Sequence, residues 1–257
     1  MKAPLLAIIC ALLFTAPLVL LNHGGLSAGP RQQPTTATPV DTVRIVNALT
    51  AKETEFRNGL AQYSFKRDAV VQTIGAGGQI SGEYHRTSQL TFNDGGKRIE
   101  KILLFPTPTL SAIGISTEDL DDLFGVQLFA LEASKASLYN FKYFGQERID
   151  DFDLYVFDVS PKTMPDPKKA KDRLFQGRIW VDTEGYQIMK TRGKGVPELK
   201  NRPFPTVETY REEIDSRFWF PTYAYADEEL LLGAGQVAKI RLRVRFSEFE
   251  KVTRKSL

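Results

Sequence analysis

Cysteine and histidine are almost absent from this sequence. Cys10 is its one thiol, and His23 and His85 are its two imidazoles. All but His85 lie in the first 28 residues, which read as a leader to be removed. Lys2 supplies a positive start, Leu5–Leu21 is apolar and interrupted by Pro17, and the small residues ending at Ala28 suit cleavage. Pro17 and that small-residue run favour cleavage over an uncleaved anchor. No Cys follows the apolar stretch, where a lipid-anchored exported protein would carry one. The expectation is a soluble protein exported to the periplasm and lacking disulfides, long enough to bury a core without them.

The same scarcity removes chemistry. A Cys–His pair cannot form in the mature chain, and neither can a zinc site of Cys and His. His85 sits in "SGEYHRTSQLTF", where alternation puts it beside Glu83 and Thr87 on the polar side of a strand. No Gly-rich phosphate loop, serine-nucleophile motif or metal-ligand spacing occurs. The carboxylate runs "EDLDD", "IDDFD" and "REEID" fall at turns and helix starts, which explains them without catalysis. The expectation is therefore no enzyme, no catalytic residue, no metal and no cofactor. Formal net charge is only +3 and falls by one when Lys2 leaves with the leader, which is too slight to argue for nucleic acid, and no nucleic-acid partner is expected.

What remains is abundant strand. After a Pro/Thr/Gln linker over 29–38, "TPVDTVRIVNALTAKETEFRNGL" predicts a helix capped by Thr38, with Pro39 in its first position. Val43, Val46, Leu49, Phe56 and Leu60 form its apolar stripe, and Gly59 signals its end. The period then drops to two. "YSFKRDAVVQTI", "ISGEYHRTSQLTF" and "KRIEKILLF" read as an antiparallel meander, with "NDGG" as a hairpin turn. Pro106–Ser134 interrupts it with one or two short helices. Strands resume in "YNFKYFGQERI" and "FDLYVFDVSP" and continue to "QVAKIRLRVRFSEF". In that last strand Ile240, Leu242, Val244 and Phe246 face one way, while Lys239, Arg241, Arg243 and Arg245 face the other. The basic stripe reads as a solvated strand face. The sum is nine or ten antiparallel strands in a single α+β domain over 39–257.

The segment "FQGRIWVDTEGYQIMKTRGKG" looks at first like a site. Alternation makes it strand, turn and strand, with Ile179 and Val181 on one face and Trp180 beside Arg178 and Asp182 on the other. Asp182 opens the turn and Gly185 supplies the freedom to close it. The Trp180–Asp182 pair is structural on this reading.

These segments in this order resemble the outer-membrane lipoprotein-sorting superfamily, the LolA/LolB-like proteins, as a longer periplasmic member. The most specific part is Tyr155, Phe157 and Val159 followed by Ile179, Trp180, Val181 and Asp182. The family's Pro after this turn is replaced here by the Gly185–Tyr186 region. The resemblance implies a strongly curved, open antiparallel sheet, a half-barrel cupping the N-terminal helix and the short helical insertion. It also implies a carrier that binds lipid or lipoprotein acyl chains in an apolar cavity and hands them to a membrane acceptor. Candidate cavity residues are Phe65, Tyr84, Leu90, Ile240, Leu242, Val244 and Phe246. Leu120, Leu123 and Phe124 are candidates for a lid, and Arg67 and Arg86 both fit the family's cavity-closing Arg. Relatives of the fold also act as regulators, so a periplasmic regulatory or scaffold protein binding a protein partner is the alternative. A transmembrane β-barrel is disfavoured by the Lys239–Arg245 stripe.

Overall fold

Strict alternation of buried and exposed positions makes most of this chain strand. In the computed structural model, which describes residues 39–93, 96–111, 113, 131–168, 173–197, 205–232 and 235–252, one helix is followed by ten strands. Helix α1 is Thr42–Leu60. The strands are β1 Tyr63–Ile74, β2 Ile80–Phe92, β3 Arg98–Leu104, β4 Tyr139–Ile149, β5 Phe152–Pro161, β6 Leu174–Asp182, β7 Ile188–Val196, β8 Val207–Ile214, β9 Phe218–Leu231 and β10 Val237–Lys251. A 3-10 turn, Ala133–Leu138, precedes β4. The described residues from Asp41 onward cluster as one unit. The leader, the linker and the lid candidates Leu120, Leu123 and Phe124 lie outside the described residues.

The strands form a single open, curved antiparallel sheet in the order β3-β2-β1-β10-β9-β8-β7-β6-β5-β4. It is a meander in which the last strand returns to pair with the first, and β3 and β4 end the row. Because pleating sends alternate side chains to opposite faces, the register fixes which residues share a face. One cross-strand row runs Arg86–Ala69–Val244–Ala224–Thr209–Thr191–Ile179–Phe157–Tyr143, through nine strands. This is the inner face, and α1 lies on it. Phe56 meets Phe220 edge-on at 5.6 Å, and Gly59 leaves room for the Phe218 ring, which a Cβ there would approach to 2.7 Å.

Four details of the local reading change. The helix begins at Thr42 and is capped by Asp41, whose carboxylate accepts from the Arg44 amide at 3.0 Å, rather than by Thr38. An aspartate so placed satisfies an orphan amide and also favours the positive end of the helix. The buried stripe is Ile45, Leu49, Glu53, Phe56 and Leu60, and Val43 is exposed, so the helix is turned relative to the expected face. Gly59 is not the stop, since the helix runs to Leu60; its small size serves the contact with Phe218. In the β6–β7 turn it is Tyr186 (φ 56°), not Gly185, that takes the left-handed conformation. Gly185 donates its amide to Asp182 Oδ2 at 2.5 Å, and a Cβ on it would crowd that same oxygen at 2.9 Å.

After β3 the chain folds back across the inner face. Thr109 exchanges hydrogen bonds with Glu83, its amide donating to the Glu83 carbonyl and its hydroxyl accepting from the Glu83 amide, both at 2.9 Å. Gly82 makes this crossing possible, because a Cβ there would lie 2.8 Å from the Thr109 carbonyl oxygen. The returning chain docks on α1: the Ala133 amide donates to Thr54 Oγ1, and Glu132 pairs with Arg57.

Candidate binding site

All seven candidate cavity residues project from the inner face, and the register brings them together. Phe65 stands opposite Leu90, Val71 lies between Tyr84 and Leu242, and Thr73, Ala69 and Arg67 stand opposite Ile240, Val244 and Phe246. All seven are 0–6% exposed, so in this conformation they are closed off from water. Phe65 packs against Phe92, Phe246 and Phe249 at 5.3–6.5 Å between ring centres.

This buried surface runs out to solvent at one edge. The Tyr84 ring lies 5.3 Å from the Phe105 ring, and Phe105 is 45% exposed. Ile99, Ile102, Leu103 and Leu104 of β3 are also exposed, at 48–50%; Ile102 stands opposite inner-face Ser88, whereas Ile99 and Leu104 stand opposite Thr91 and Thr87 of the outer face. An end strand carrying this much exposed apolar side chain is unusual, since edge strands are ordinarily blunted with charge. The lone acidic residue on β3, Glu100, points the other way in chemical terms: it anchors two arginines. Arg67 donates to Glu100 Oε1 at 2.8 Å, Arg86 approaches the same oxygen at 2.9 Å, and Ser88 donates to it at 2.6 Å. Burial pushes the Glu100 carboxyl up, but the Ser88 hydrogen bond and the Arg67, Arg86 and Arg98 guanidiniums outweigh it and hold the group below the ordinary carboxylate value. Arg67 and Arg86 therefore converge on one carboxylate.

A second buried charge pair ties α1 to the sheet. Glu53 and Arg211 are each 2% exposed and meet through two hydrogen bonds, at 2.6 and 3.0 Å. The Arg211 guanidinium also stacks over Phe56, 4.8 Å from its ring centre. The sequence reading missed Glu53, although its place four residues after Leu49 and three before Phe56 puts it on the apolar stripe.

The outer face carries different chemistry. Trp180 lies there with Arg178 and Asp182, as alternation required, yet it is buried within a small cluster with Leu154 and Val156, and its indole donates to Glu147 at 2.8 Å. Beside it is a groove of about 940 Å³ lined by Lys142, Arg178, Lys190, Arg192 and Lys194, against Asp158 and Glu208. Lys190 sits 5.0 Å from the Trp180 ring centre and 4.9 Å from that of Tyr210, and pairs with Glu208 at 3.0 Å. Burial alone would lower the Lys190 pKa; the Glu208 and Tyr210 contacts outweigh it and raise it. His85 is on the outer face too, with Nε2 2.8 Å from Asp68 Oδ1, to which the Thr87 hydroxyl also donates. Much of the basic stripe is engaged, as where Arg241 pairs with Asp227 at 3.0 Å. Among the described residues no group of three His, Cys, Asp or Glu side chains is placed to hold a metal ion, and no helix is long and apolar enough to cross a membrane.

No family model matches the chain, and no curated protein matches it. Solved structures do resemble it. A DUF1329 family protein from Desulfovibrio piger is 16% identical, covers 84% of this chain and 96% of its own, and has a TM-score of 0.45. A LolA superfamily protein from Nitrosomonas europaea is 14% identical over 82% of this chain and 94% of its own, with a TM-score of 0.37. An outer membrane lipoprotein-sorting protein domain from Vibrio parahaemolyticus is 10% identical over 82% and 95%, also at 0.37. Likenesses this distant leave function to be read from the chain's own geometry.

Proposed function

We propose that this protein is a non-enzymatic periplasmic carrier that buries the acyl chains of lipid or lipoprotein against the inner face of its sheet. The observation that carries the reading is the continuity of that face with the exposed apolar edge: from Leu242 and Tyr84 to Phe105, and to Ile102 of β3, which stands opposite inner-face Ser88. A chain sliding in from a membrane would stay in apolar contact throughout, and each methylene it buries contributes about 0.8 kcal/mol. The face is closed as it stands, so loading requires the segments over it to move aside. Their displacement costs contacts that the acyl chain replaces in kind.

Mass spectrometry of organic extracts from the purified mature protein tests this, beside displacement of a fluorescent fatty acid. Stoichiometric lipid that is displaceable and lost in Leu242→Arg supports the carrier. Clean extracts and no displacement from folded protein would favour a second reading, a regulatory or scaffold protein. That reading draws on the outer groove, whose Lys142, Arg178, Lys190, Arg192 and Lys194 outnumber Asp158 and Glu208 and suit an acidic segment of a partner protein.

A further inference from the structure

The middle of the long cross-strand row is built from small side chains: Ala69, Val244, Ala224, Thr209 and Thr191, on five successive strands. Larger groups stand at its two ends, Arg86 on β2 and Tyr143 on β4. At about 4.8 Å between strands, the five positions span roughly 19 Å. One leaflet of a bilayer is about 15 Å of hydrocarbon, half of the roughly 30 Å core, so one acyl chain laid across the strands fits within this length.

Small residues alone would make only a place where something packs closely. The two threonines add a separate observation. Thr191 is 1% exposed and Thr209 3%, and the register places them directly opposite each other on the inner face. Neither hydroxyl has a hydrogen-bond partner, and neither oxygen is reached by water. Threonine commonly satisfies its hydroxyl on nearby backbone, as Thr50 and Thr54 of α1 do on the carbonyls of Val46 and Thr50. A pair of adjacent buried hydroxyls left unmade is costly, and such groups in a native fold call for an explanation. No charge stands unbalanced beside them: on β8 the next residue on this face, Arg211, is neutralised by Glu53. Two uncharged donors side by side suit a neutral acceptor, a carbonyl oxygen, better than an anion.

We propose that this row is the track for a single acyl chain, lying across the strands, and that Thr191 and Thr209 donate to the ester or amide carbonyl joining the chain to its head group. The proposal rests on the carrier reading and adds an axis, a register and a polar subsite to it. It makes the protein selective for acylated molecules over plain hydrocarbon of equal length. Removing both hydroxyls leaves the folded protein at least as stable, because it removes two unmade hydrogen bonds and keeps the side-chain volume.

The test uses the full mature chain, stripped of lipid, and displacement of 1-anilinonaphthalene-8-sulfonate by methyl palmitate and by hexadecane. Wild-type protein should bind the ester more tightly than the alkane. In the Thr191→Val, Thr209→Val double variant, ester affinity should fall about tenfold while alkane affinity and the unfolding midpoint hold or rise. Ala224→Phe, which fills the centre of the track, should block both ligands. If the double variant binds methyl palmitate as wild type does, the subsite is wrong while the carrier reading stands. If wild-type protein binds neither ligand, the carrier reading fails and takes the track with it.

Discussion

Glu53 and Arg211 stand among the most buried charged residues of the described chain, and their worth is easily misjudged. A fully desolvated pair earns little over an apolar pair of the same shape, but breaking it strands a charge. Glu53→Gln is therefore expected to cost about 3–5 kcal/mol of stability, read as a shift in the urea midpoint. The double change Glu53→Leu, Arg211→Met should recover most of that loss. Equal losses in the single and double variants would mean that the pair contributes more than packing can replace. Glu100 makes a pH-dependent counterpart. Its pKa is held below the ordinary value in the folded protein, so its contribution is present above the ordinary carboxylate pKa and is lost as pH falls through the folded one. Asp68 adds to the same window: burial raises its pKa, but Thr87 and His85 outweigh that and hold it low. Thermal stability should decline on acidification below about pH 4, and less steeply in Glu100→Gln, which starts lower because Arg67 has lost a carboxylate. Parallel slopes would show that Glu100 is not part of the acid response. None of these partnerships was legible beforehand. Alternation says which face a charge occupies, but not which charge from 158 residues away arrives to meet it.

Strand β3 is the element in which function and hazard coincide. Its free side and its exposed Ile99, Ile102, Leu103 and Leu104 would ordinarily invite edge pairing. On the carrier reading they are the contact through which acyl chains arrive. Leu103→Lys with Leu104→Lys should therefore slow the uptake of a pyrene-labelled phospholipid from vesicles severalfold while leaving affinity for monomeric methyl palmitate little changed. Uptake at the wild-type rate would remove β3 from the loading path. The strand itself was readable from "KRIEKILLF" and its "NDGG" turn; its exposure was not. A run apolar at consecutive positions looks like a strand buried on both faces, and only the topology, which leaves β3 at the end of the row, puts it in solvent. Helix α1 teaches the same lesson at smaller scale. Its period was plain, yet the buried face turned out to include Glu53, because Arg211 waits beneath it.

The whole molecule should respond to its ligand as a unit. Anything that binds only the folded chain stabilises it by mass action, by about 2.7 kcal/mol at a hundredfold excess over Kd. Methyl palmitate at that excess is expected to raise the urea midpoint correspondingly, and Leu242→Arg, if it folds, should abolish the rise. A midpoint indifferent to every acyl ligand, in a protein that is otherwise folded, would point to the outer groove and a protein partner. The open sheet suits either role, since its two faces present different chemistry to different partners: apolar and closed within, cationic and grooved without.

The amino-acid sequence by itself determined the antiparallel meander, one long helix, and the faces of β2, β6 and β10. Each of these follows from period and turn chemistry, which are local. Tertiary structure alone decided that β10 closes back on β1, that Arg67 and Arg86 share Glu100, and that Thr191 meets Thr209 with neither hydroxyl satisfied. Strand register is set between segments far apart in the chain. No local pattern encodes it, and here the proposed binding track is a property of that register.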